Sequence, residues 1–80
     1  MTRQEILNKT TDVFKSVFGD SIKLNEQTSA DDINNWDSMN HIILIQKLEK
    51  AFGLKFDLFE IIEIRDVAGI VNYISEKKAE

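Results

Sequence analysis

A chain of 80 residues with 42% hydrophobic side chains can enclose one small core, and a single domain over 1–80 is expected. It has no Pro, three Gly, no Cys and a net charge of −4, which disfavours a turn-rich β fold and excludes disulfides and thiolate metal sites. The negative charge argues against a nucleic-acid partner. No apolar run is long enough to span a membrane, and residues 1–10 lack the basic-then-apolar pattern of a signal peptide, so a cytoplasmic monomer is expected.

Thr2 and Glu5 have the spacing of a capping box, in which each side chain satisfies the other's free backbone N–H. Ile6, Leu7, Val13, Phe14, Val17 and Phe18 follow at helical spacing, and Gly19 is placed to stop the helix. Residues 20–36 show no sustained period. Loops of this length are usually functional or disordered. Here Ile22, Leu24, Ile33 and Trp36 predict a loop pinned to the core, with a short helical turn near 30–33.

Asp37 and Ser38 are both good N-caps for a second helix that ends at Gly53. Its inward stripe is expected to be Ile42, Ile45, Leu48 and Phe52, with Leu44 at the edge. Leu54-Lys55-Phe56-Asp57 predicts an extended connector, and 58–63 a short helix held mainly by apolar residues. Asp66 caps a last helix in which Val67, Ile70, Val71 and Ile74 keep the i, i+3, i+4, i+7 pattern, with a frayed charged tail over 76–80. The expected fold is all-α: a small four-helix bundle, three longer helices and one short, with a long first loop.

The stretch Asp31-Asp32-Ile33-Asn34-Asn35-Trp36-Asp37 is faintly like a calcium loop. It lacks the turn Gly, and Ile43 stands where the bidentate Glu belongs. With one His and no Cys, no metal site is expected. Ser38, His41 and Asp37 suggest a hydrolase, but one helix end on a small bundle supplies neither an oxyanion site nor a dry pocket. No catalytic residue is assigned, and His41 is expected at the surface or the core edge. The start of the second helix does favour an anion, through free N–H groups and the helix dipole. From the local pattern alone, Asp37 and Ser38 are simply caps.

The segment from Trp36 to Phe52 resembles the second helix of acyl carrier proteins. Asp37-Ser38-Met39 matches the family's Asp-Ser-Leu motif with Met for Leu, and Ile42, Leu44, Ile45, Leu48 and Phe52 match its apolar positions. Phe56, Ile64, Asp66-Val67, Ile70 and Tyr73-Ile74 also fall at family-like spacing. The resemblance implies a four-helix carrier that performs no chemistry itself. A phosphopantetheinyl transferase would move 4′-phosphopantetheine from coenzyme A to Ser38, with Asp37 and Met39 as motif context. Acyl- or aminoacyl-loading and transfer enzymes would then use the arm. Ile45, Leu48, Phe52, Phe56, Ile64 and Ile70 are candidates to line an acyl cleft, and are equally plain core residues.

Family members of fatty-acid synthesis have a strongly acidic second helix, whereas this one carries Lys47, Glu49 and Lys50 after Asp37. Its acidic residues lie elsewhere, notably Asp57, Glu60, Glu63 and Asp66. At 100° per residue Met39 and Ile43 face away from the core stripe, among Gln46, Lys47 and Lys50, and these five are expected to face partners. A carrier specialised to one pathway is expected, with the cargo open among short acyl, hydroxyacyl and aminoacyl groups. The Asp-Ser-Met variant after Trp36 is similar to carriers outside the fatty-acid pathway. The alternative is a helical interaction module of the same fold without the prosthetic group.

Overall fold

The computed structural model describes residues 1–79. Helix α1, Arg3–Phe18, starts with the Thr2–Glu5 capping box. It ends at Gly19, whose φ of 110° is one that L side chains rarely adopt. Helix α2, Ser38–Phe52, starts from the Asp37 cap and stops at Gly53 in the left-handed conformation. The short α3, Leu58–Ile61, is capped by Asp57, and α4 runs Val67–Ala79. Gly69 of α4 has no room for a side chain, because a Cβ there would meet Ile64 and the capping carboxylate of Asp66. Among the described residues there is no named strand, and no helix is long and apolar enough to cross a membrane.

Helix α1 packs on both α2 and α4. Ile6, Val13 and Phe14 of α1 meet Leu44, Leu48 and Phe52 of α2 and Val67, Ile70, Val71 and Ile74 of α4 in the main core. Each of the four α4 residues is fully buried, as the periodicity predicts. A second, smaller cluster holds Ile45, Ile61 and Tyr73. Phe56 and Ile64, both half-buried, pack against both clusters.

The long first loop is pinned at two levels. Ile33 and Trp36 are buried, and Ile22 and Leu24 pack against the core. The expected turn is a 3-10 turn, Ala30–Asp32. Backbone bonds then stitch the loop to the start of α4: Ala30 N–H donates to the Arg65 carbonyl at 2.9 Å, and Val67 N–H to Thr28 at 2.9 Å. Arg3 extends the tie by pairing with Glu26 and donating to Asn72.

Four local expectations differ from the structure. The tail expected to fray over 76–80 is helical through Ala79, residue 80 lying outside the described residues. Ile42 is 38% exposed, while Leu44, expected at the edge, is fully buried. His41 is fully buried rather than at the surface or core edge. The short helix ends at Ile61, not at 63, and its apolar residues do little to hold it, since Leu58 and Phe59 are exposed and only Ile61 is buried. Capping replaces burial there: Asp57 accepts from Phe59 N–H at 2.9 Å, and the Tyr73 hydroxyl accepts from Asp57 N–H at 2.9 Å.

Candidate functional site

Two buried rings decide where Ser38 points. Trp36 lies in the core, edge-on to Phe14 with ring centroids 5.1 Å apart. Its indole N–H donates to Nδ1 of His41 at 2.9 Å. Since Nδ1 accepts, the proton of the neutral imidazole sits on Nε2, which donates to the Ile61 carbonyl at 3.2 Å. This chain of bonds joins the loop, α2 and α3. With Trp36 and His41 both held inward, the residues between them turn outward, and Asp37, Ser38 and Met39 are all exposed.

Asp37 accepts from Asn40 N–H at 2.9 Å, and the Asn40 amide donates to the Asn35 carbonyl at 2.7 Å. Asn35 has φ 70°, a conformation Asn tolerates better than most residues. These bonds fix the turn that presents Ser38 as the first residue of α2. The N–H groups of Ser38 and Met39, in the first turn, have no intrahelical acceptor. The Ser38 hydroxyl accepts from an Arg65 guanidinium nitrogen at 3.1 Å, across 27 residues of sequence.

His41 is bonded to Trp36 and Ile61, so the Ser38–His41 pair of a hydrolase is not assembled. Burial holds its pKa below the ordinary histidine value, and the nearby charge of Arg65 acts in the same direction against the Ile61 carbonyl. Tyr73, bridging Asp57 and Glu60, is shifted upward, mainly by burial.

Four of the five residues expected to face partners gather on one side. Ile43, Gln46, Lys47 and Lys50 line an open groove of about 570 Å³ with Glu49, Gly53, Leu54 and Lys55. Met39 lies outside that lining and is 74% exposed. Glu49 is tied down by Phe56 N–H at 2.9 Å, leaving Lys47, Lys50 and Lys55 as the groove's other charges.

The six cleft candidates also come together, as packed core. Leu48, Phe52 and Ile70 belong to the main cluster and Ile45 to the smaller one, while Phe56 and Ile64 span the two. Sequence reasoning missed two residues of the site. His41 had a signal, since it continues the spacing of Leu44, Ile45 and Leu48 one turn back. Arg65 had none, because its approach to Ser38 depends on the docking of the loop and α4.

No family model matches the chain. It is 30% identical to an acyl carrier protein of Thermotoga maritima over 77 residues, 95% of each chain. Among solved structures, it is similar to a holo acyl carrier protein from Geobacter metallireducens, with a TM-score of 0.82 and 39% identity, over 92% of this chain and 86% of the other. With near-complete coverage in both comparisons and the same helical architecture, the chain belongs to the acyl carrier protein family.

Proposed function

We propose that the protein carries acyl or aminoacyl intermediates as thioesters on a 4′-phosphopantetheine arm esterified to Ser38. The observation that carries this is the placement of Ser38: exposed, first in α2, on a turn fixed by Asp37 and Asn40, with its hydroxyl beside Arg65. The chemistry of the surroundings fits a phosphodiester, which needs hydrogen-bond donors and positive potential, and the helix start and Arg65 supply both. The group itself would supply the thiol, which a chain without Cys lacks.

In the attachment step the Ser38 oxygen bonds to the phosphorus of coenzyme A next to the pantetheine. The pyrophosphate bond breaks, adenosine 3′,5′-bisphosphate leaves, and the serine proton goes to the transferase. The carrier's own share of this work is to hold the hydroxyl outward and leave the first-turn N–H groups open.

The partners are then a phosphopantetheinyl transferase and the enzymes that load and unload the arm, met by one carrier domain, residues 1–80, acting as a cytoplasmic monomer. Met39, Ile43, Gln46, Lys47 and Lys50 form the partner face. An apolar floor ringed by lysines suits a partner with an apolar contact and acidic flanks. That favours a specialised carrier over one read through an acidic second helix.

Intact mass tests the attachment directly. After incubation with coenzyme A and a broad-specificity transferase, the protein is expected to gain one phosphopantetheine at Ser38, and Ser38→Ala to stay folded and gain none. A folded wild-type chain that gains nothing would leave only the interaction module without a prosthetic group.

A further inference from the structure

Arg65 is the least explained charge in the molecule. Its backbone is held firmly: the carbonyl accepts from Ala30 N–H at 2.9 Å, and the adjoining Asp66 pairs with Ser29 in an isolated bridge. Its side chain is exposed, yet it reaches from the segment ahead of α4 to a neutral hydroxyl at the start of α2. Among the described residues no carboxylate lies within ion-pair distance of it, although Glu63 and Asp66 are near in sequence. A guanidinium is a planar fork suited to two oxygens of one anion, and a single serine oxygen uses little of that capacity.

We propose that Arg65 is the phosphate-binding residue for the prosthetic arm: its guanidinium neutralises the phosphodiester on Ser38 and holds it against the start of α2. This rests on the attachment of the arm at Ser38. The hydroxyl that now accepts from Arg65 becomes the bridging oxygen of the diester, and the charge arrives on the oxygens beyond it. The phosphate thereby links α2 to the segment ahead of α4, which the bare chain joins at this point through one hydrogen bond to an uncharged hydroxyl. Asp37, the acidic side chain next to Ser38, accepts from the N–H of Asn40, and among the described residues it makes no ion pair with Arg65.

The test compares apo and holo protein, each as wild type, Arg65→Gln and Arg65→Lys. Intact mass first establishes that Ser38 is modified in all three holo samples; if wild type takes no arm, it is the attachment at Ser38 that fails. With the arm on, the rise in Tm from apo to holo is expected to be about 3 °C larger in wild type than in Arg65→Gln at low salt. Arg65→Lys should fall between them, because an ammonium gives the charge without the fork. The difference should largely vanish at about 1 M salt, where the screening length is roughly 3 Å. The ³¹P resonance of the diester should shift between holo wild type and holo Arg65→Gln. Equal Tm increments together with an unmoved ³¹P resonance would overturn the role of Arg65 while leaving the arm in place.

Discussion

His41 has no exposure, and its two hydrogen bonds require it to be neutral. Protonation would put a hydrogen on Nδ1, where the Trp36 indole N–H already points. Because burial lowers its folded pKa, the unfolded chain takes the proton first as pH falls below about 6.5. The stability from neutral His41 is therefore complete above that pH and is lost as pH drops toward the folded value. Thermal melts should show a fall in Tm from pH 6.5 to 5 that His41→Leu lacks. At pH 7.5 the same variant should be less stable by about 1–3 kcal/mol, since the indole N–H and the Ile61 carbonyl lose their partner. Glu5 and Glu26, held downward by their hydrogen bonds to Thr2 and Arg3, are carboxylates that ordinarily titrate near 4.5, so their effect falls in a lower pH range. Parallel pH curves for wild type and His41→Leu would remove His41 as the cause.

At the scale of the element, α2 shows what was legible and what was not. Its ends were plain: of the two candidate N-caps, Asp37 caps and Ser38 is the first helical residue, and Gly53 closes the other end. Its rotation was read slightly off. Residues 41 to 45 are His, Ile, Ile, Leu and Ile, so the apolar pattern is nearly continuous and admits two phases. Counting histidine as polar chose the phase with Ile42 inward. The buried set is His41, Leu44, Ile45, Leu48 and Phe52, a regular helical stripe once histidine is admitted to it. The outer face keeps Ile43 in a groove with Lys47 and Lys50. Ile43→Glu is expected to leave the helical circular dichroism unchanged. It should lower kcat/KM of the protein's own loading enzyme on the order of tenfold, about 1.4 kcal/mol. Unchanged loading would take Ile43 out of the partner face.

For the whole molecule, the helix order, the long loop and the main core followed from caps, periodicity and the anchoring side chains Ile33 and Trp36. What could not be read locally were the contacts between distant segments, above all Arg65 with Ser38 and Tyr73 with Asp57. The division of the core into two clusters belongs with these, and it gives the cleft residues a testable role. Phe56 and Ile64 line the seam between the clusters. A cargo lodged there should raise Tm progressively as an attached acyl chain lengthens from two to eight carbons, by at most about 0.8 kcal/mol per buried CH₂. Phe56→Ala should flatten that dependence. A Tm independent of chain length would mean that the cargo stays outside the seam.

The stitching of the first loop to the residues ahead of α4 also bears on timing. Ser38 leaves the ribosome well before Arg65, and the contacts that bring them together join segments far apart in the chain, which close late in folding. An unfinished chain therefore displays the serine without the guanidinium. The complete arrangement exists only once the first loop has docked on the residues ahead of α4, so a partner that reads Ser38 together with Arg65 meets folded protein rather than an open chain.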